Sequence, residues 1–180
     1  MKHPKITILL WLLLLVITAC QPREQNLSFE TISQGDGFYT GQGYGGGKPN
    51  LLVITDPDEI DNPGLDVQFP AELADQLRQL DYGRIFAILV LQGQKGSTGY
   101  AVTVQQITRQ GSQITVKAEF VEPSPGTFIK PAFTSPYHLV AVSKEGKWGQ
   151  QIKFVLVAND EPVAETRHFI PGRSSGGYDE

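Results

Sequence analysis

Residues Tyr100 to Phe120 read "YAVTVQQITRQGSQITVKAEF". Tyr100, Val102 and Val104 alternate with Ala101, Thr103 and Gln105. Beyond the turn Arg109-Gln-Gly-Ser112, Ile114, Val116, Ala118 and Phe120 alternate with Thr115, Lys117 and Glu119. Successive strand side chains point to opposite faces, so two period-two runs about a glycine turn predict an antiparallel hairpin with one apolar face. Such a hairpin must lay that face against another layer, and the rest of the chain supplies candidates for it.

Upstream, Arg84 to Gln92, "RIFAILVLQ", is a continuous apolar run that suits a central strand covered on both sides. Pro70 to Asp81, "PAELADQLRQLD", predicts the one helix. Pro70 suits its first turn, Leu73, Leu77 and Leu80 share a face, and Gly83 supplies a stop. Ala74 and these leucines are natural cover for the central strand. Leu51 to Thr55 predicts a buried strand, and Leu27 to Ser33 a first strand. Downstream, Pro123 to Pro131 cannot be a central strand because its prolines lack ladder donors. Tyr137–Ser143 and Gln151–Ala158 predict a second hairpin turned at Glu145-Gly-Lys147, and Glu165–Ile170 an edge strand. The polar stretch 171–180 reads as a disordered tail. The expected fold is α+β: a single domain over residues 27–170, dominated by antiparallel β-sheet with one packed helix.

The N-terminus predicts where this domain works. Lys2, His3 and Lys5 precede the apolar run Ile6–Ala19, which is shorter than the roughly 20 residues needed to span a bilayer. Residues 1–19 therefore have signal-peptide proportions. Ile17-Thr18-Ala19-Cys20 resembles the lipobox of bacterial lipoproteins, and Cys20 is the only cysteine in the chain. That resemblance implies an extracytoplasmic protein held to the membrane by lipid on Cys20, through a polar tether over residues 20–26. In a diderm host, Gln21 implies the outer membrane; otherwise the anchor implies the cell surface. Each buried lipid CH₂ contributes about 0.8 kcal/mol, so several acyl chains anchor firmly. Cleavage would remove two of the 15 basic residues and none of the 19 acidic ones, leaving about −6. A mildly acidic chain without a basic block argues against nucleic acid as a partner.

The catalytic inventory is sparse. His138 and His168 are the histidines outside the signal segment, and neither a Gly-x-Ser-x-Gly elbow nor a His-Glu-x-x-His pair occurs. His138, between Tyr137 and Leu139, is expected to face away from the core as a partly exposed strand residue. The carboxylates of Asp56–Asp61, "DPDEID", have Ile60 where a calcium loop wants an oxygen ligand, so a solvated turn is expected. Gly41-x-Gly43-x-x-Gly46 matches a dinucleotide loop on paper, but Lys48-Pro49 and a strand follow it rather than a helix. No metal, no cofactor and no catalytic residue is expected.

Three pieces carry a family resemblance: Gly96-Ser-Thr-Gly-Tyr100 with its strand, "ITVKAEFVEPSPGT" from Ile114, and "TSPYHLVAVSK" at Thr134–Lys144. In order and spacing, Lys95–Lys144 resembles the C-terminal domain of the PrcB family of protease-complex subunits, with the strand from Arg84 belonging to the same unit (a core of about 84–144). The resemblance implies an accessory lipoprotein of an envelope complex, non-catalytic, with a surface protease as a possible partner. A looser similarity links the threonine-glycine-tyrosine loop to chagasin-like peptidase inhibitors, although Lys95-Gly96 replaces their asparagine-proline pair. Gly96, Ser97, Thr98, Gly99 and Tyr100 admit two readings. They form a hairpin's opening bend, or a contact surface together with the proline-rich segment 123–136, Pro136 and Tyr137 included. Two further alternatives are a small-ligand or glycan binder using Phe38, Tyr39, Tyr44 and Tyr100, and a hydrolase built around His138.

Overall fold

The computed structural model describes residues 23–37, 47–61 and 67–172. The expected signal segment 1–19, Cys20, the aromatics Phe38, Tyr39 and Tyr44 of the glycine-rich loop, and the tail beyond Gly172 lie outside the described residues. Eleven strands are described: β1 (Gln25–Asn26), β2 (Phe29–Gly35), β3 (Asn50–Ile54), β4 (Ile85–Leu91), β5 (Lys95–Ser97) and β6 (Ala101–Gln110), then β7 (Gln113–Val121), β8 (Pro131–Thr134), β9 (Tyr137–Ser143), β10 (Gln150–Ala158) and β11 (Glu161–Ile170). A 3₁₀ turn (Pro57–Ile60) and helix α1 (Ala71–Arg78) separate β3 from β4. One sheet runs β1-β6-β7-β10-β11, a second runs β2-β9-β4-β3, and β5 and β8 form a separate two-stranded ribbon. Every pairing is antiparallel except that of β7 with β10. The domain is α+β and antiparallel-dominated, as the periodicities imply.

The two sheets face one another, and α1 covers the back of the four-stranded one. Val102, Val104, Ile114, Val116 and Phe154 meet Phe86, Ile88, Val140 and Val142 between the sheets. Leu73, Ala74 and Leu77 of α1 pack with Ala87, Leu89, Leu91 and Leu139 on the far side. Both faces of β4 are therefore buried, which is why its sequence lacks polar alternation. The helix is one turn shorter than its apolar spacing suggests: it ends at Arg78, and Leu80 packs half-buried beyond it.

The hairpin that decides the fold forms with Gln110 opposite Gln113, and a bulge between Val104 and Gln106 shifts its register. The second expected hairpin does not form. β9 and β10 lie in different sheets, and residues 144–149 cross between them. Lys144 donates its backbone N–H to Arg84 O (2.7 Å) and its buried ammonium to Tyr82 O (2.6 Å). Burial pushes the Lys144 ammonium below its ordinary pKa, with Asp81 acting in the opposite direction. Trp148 then packs edge-on against Phe86 at 5.5 Å, under the Arg109 guanidinium at 3.9 Å. These contacts carry the chain across the sandwich, and β10 joins β7 and β11 instead. A turn that sequence alone passes over makes β11 longer than expected: Asn159 and Asp160 both take positive φ, as a two-residue hairpin turn demands. The Asn159 side chain holds both backbone groups of Phe120.

The ends of the sandwich differ. Gln25, in the last part of the expected tether, pairs with Arg109, and Ile170 accepts from the Gly149 N–H. Both described termini thus leave the domain beside the β6–β7 turn. The opposite end carries the β5–β8 ribbon.

Candidate docking surface

The ribbon begins where β4 is stopped. Gln92 donates its backbone N–H to Pro136 O (3.0 Å) and its side-chain amide to Val121 O (3.3 Å), tying the strand end to both sheets. Gly93 follows with φ +86°, and a Cβ there would overlap the Gly47 carbonyl. Only glycine fits both the angle and the space. Gly93→Ala is expected to cost about 1–3 kcal/mol, as strained backbone positions do. A thermal melt indistinguishable from wild type would show that this corner relaxes freely.

Past Gly93 the chain leaves the sheet. Lys95 pairs with Thr134 and Ser97 with Pro131. Thr98 and Lys130 exchange two bonds of 3.1 Å: the Thr98 N–H donates to Lys130 O, and the Lys130 N–H donates to Thr98 Oγ1. The Thr134 hydroxyl donates to Ser97 O at 2.9 Å. Gly99, at φ +98°, leaves room for Pro123. Lys95 Nζ lies 5.2 Å from the centre of the half-buried Tyr100 ring. Gly96–Tyr100 is thus one wall of a hydrogen-bonded flap, and residues 123–136 are the other.

What the flap presents differs in part from the expectation. Gly96 and Gly99 are exposed, and Ser97, Thr98 and Tyr100 are half-buried. Pro136 is buried, while Tyr137 is half-buried and shares a 2.8 Å hydrogen bond with Ser33, so both support the flap from beneath rather than line it. The area comes instead from Phe128 and Phe133, 86% and 85% exposed, with the partly exposed Ile129 next to Phe128 in the chain. Sequence reasoning passed over these phenylalanines. The available signal was "PSPGTFIKPAF": apolar residues in a stretch whose prolines bar them from a central strand have no core to join. Two large aromatics on a backbone already fixed by hydrogen bonds offer contact area at low entropy cost.

The two histidines lie elsewhere and are used differently. His138 is on the face opposite Tyr137 and Leu139, as alternation requires, but that face lies between the sheets, and the residue is 3% exposed rather than solvated. The Val104 N–H, unpaired at the open edge of β6, donates to His138 Nδ1 at 2.8 Å. Nε2 must then carry the proton, and it donates to Thr31 Oγ1 at 2.8 Å. Both ring nitrogens are occupied: Nδ1 joins the two sheets, and Nε2 ties β9 to its neighbour β2 within the four-stranded sheet. Burial lowers the His138 pKa from its ordinary value. His168 bridges the other seam, its Nε2 lying 3.2 Å from Thr55 Oγ1 and 3.2 Å from Glu59 Oε1. A relay needs the carboxylate and the hydroxyl on different ring nitrogens, and here both meet one. Burial would raise the Glu59 carboxyl, but the hydrogen bonds from His168 and Thr55 outweigh it and hold the pKa below the ordinary value. Asp56 of the "DPDEID" turn accepts from the Asp58 N–H. No three His, Cys, Asp or Glu residues converge on a metal-sized site among the described residues.

A pH dependence follows from His138. An unfolded histidine titrates near 6.5 and the folded one lower, so below about pH 6.5 the unfolded chain takes up the proton first. Stability is therefore full above that value and declines as pH falls toward the folded pKa. His138→Leu should melt about 1–3 kcal/mol below wild type at neutral pH, because it strands the buried Val104 N–H. It should also lose part of the decline between about pH 7.5 and pH 5.5. Urea melts at both values measure this, and an unchanged decline in the variant would assign the titration to another group.

Residues 86–143 match the family model described as PrcB C-terminal. No curated protein and no solved structure matches the chain. The matched segment runs from β4 to the end of β9, so it contains strands of both sheets and the whole flap, but neither α1 nor the β10–β11 hairpin.

Proposed function

We propose, for a chain whose residues 86–143 match the PrcB C-terminal family model, a lipid-anchored and non-catalytic accessory subunit of an extracytoplasmic complex, with a protease as partner. The observation that carries this reading is the flap: Phe128 and Phe133 stand almost fully exposed on a hydrogen-bonded support within the matched segment. Exposed aromatics of this size on a rigid frame are typical anchors of protein interfaces. The occupied ring nitrogens of His138 and the single-nitrogen convergence at His168 favour binding over hydrolysis. The protease is suggested by the family alone.

Two measurements test the reading. Affinity purification of the full chain from its native envelope should bring down peptidase activity, and Ser97→Arg, at the flap's half-buried wall, should reduce it without moving the melting temperature. Peptidase activity that never accompanies the chain would remove the protease partner. Cys20→Ser should abolish lipid attachment, motivated by Ile17-Thr-Ala-Cys20. A variant processed at the same bond and still partitioning into detergent would remove the anchor.

A further inference from the structure

The flap's composition is ambiguous between two kinds of occupant. The segments that build it, 92–100 and 123–136, contain Lys95 and Lys130 and no acidic residue, although the chain as a whole has 19 acidic and 15 basic residues. Glu122 is exposed at the base of the second segment. Phenylalanines among lysines suit the interface of an anionic bilayer, and they equally suit an apolar groove of a protein rimmed by carboxylates. The position of the chain's entrance decides between them.

Gln25 enters the fold opposite Arg109, while the flap rises beyond Ala101 at the other end of β6. At the rise of a strand, the path from Arg109 back to Ala101 is about 27 Å, before any height of the flap itself. The stretch from Cys20 to Gln25 reaches at most about 18 Å when fully extended. A domain inverted to press Phe128 and Phe133 into the anchoring bilayer would need the tether to climb farther than it can reach. Ile170 leaves from the same end as Gln25, so neither terminus brings the flap closer.

We infer that the flap is a membrane-distal docking surface for an extracytoplasmic protein that presents an apolar groove rimmed by Asp and Glu, with Phe128 and Phe133 entering the groove and Lys95 and Lys130 meeting its rim. The orientation rests on the Cys20 anchor proposed above. The apolar and charged parts have separate tasks. The aromatics supply the buried area, and the lysines steer the approach and exclude basic surfaces.

The full lipidated chain tests both parts. With Cys20 acylated, an introduced cysteine is the one free thiol. A dye is placed at Phe133→Cys on the flap or at the exposed Ser112→Cys beside the chain entrance, and the protein is reconstituted into phosphatidylcholine–phosphatidylglycerol vesicles with headgroup acceptors. Energy transfer should be stronger from position 112 than from position 133, and quenchers in the lipid chains should leave the dye at 133 untouched. Quenching at 133 would make the flap a membrane wedge and overturn the inference. A chain that does not associate with the vesicles at all would overturn the anchor, and the orientation with it.

In producing cells, a benzophenone side chain at position 128 should then crosslink to a protein. Lys95→Glu with Lys130→Glu should lower the adduct by about tenfold or more, as reversal of complementary charge does. Adducts with lipid only, no adduct, or an adduct insensitive to the charge reversal would each overturn the proposed partner chemistry.

Discussion

Phe128→Ser combined with Phe133→Ser should lower retention of the native partner by more than about tenfold, because truncating a central aromatic anchor commonly costs an interface 2 kcal/mol or more. The same pair should leave the unfolding midpoint where it was. At 86% and 85% exposure these rings bury almost nothing within the domain, and the bonds that shape the flap run through Thr98, Lys130, Ser97 and Thr134. Partner retention measured by quantitative pull-down from the native envelope, beside a thermal melt, separates the two effects. Full retention by a folded double variant would mean that the exposed rings are not the contact. A Thr98 variant would be a poorer probe, since its hydroxyl accepts from the Lys130 N–H and its loss would loosen the flap as well as alter its surface.

Leu77→Ala should cost about 2–5 kcal/mol, the range for truncating a buried leucine in a core that cannot fully collapse around the cavity. Leu77 is 0% exposed and lies among Leu73, Ala74, Ala87, Leu89 and Leu139. The helix contributes only eight residues, Ala71–Arg78, and Pro70 at its N-cap makes no side-chain capping bond. A helix that short is not stable by itself, so its packing against the sheet must hold it in place. Removing its most buried side chain should therefore loosen the whole layer and uncover one face of β4. A denaturant melt measures the cost. An effect below about 0.5 kcal/mol would place α1 outside the cooperative unit.

Much of this architecture was legible because periodicity records how many faces of an element are buried. The alternation over Tyr100–Phe120 describes a strand pair with one covered face, and β6 and β7 pair accordingly. The unbroken apolar run of β4 describes burial on both faces, and the structure buries both. The flap was legible in outline: prolines and glycines mark residues 93–100 and 123–136 as something other than core strand, and the two stretches come together. Which of their residues point outward was not. Pro136 and Tyr137 looked available by type, but they sit beneath the ribbon, while Phe128 and Phe133, not singled out within the segment 123–136, stand outermost.

The sequence by itself determined the strands of the two sheets other than β1, the helix, the β6–β7 hairpin and the expectation of a lipid anchor at Cys20, all of which rest on local spacing, whereas the short strands β1, β5 and β8 were not legible in it. Tertiary structure alone decided which strand meets which. β9 and β10 alternate like hairpin partners, yet Lys144 and Trp148 carry the chain from one sheet to the other, and β10 lies parallel to β7. It also decided the environment of His138. Alternation assigns that ring to the face opposite Leu139, but whether that face meets water or a second sheet depends on residues more than thirty positions away. The Val104 N–H that binds the ring comes from the other sheet. Local spacing carries the period of burial along a strand, whereas the identity of the covering layer is a long-range choice made by side-chain packing across the whole domain.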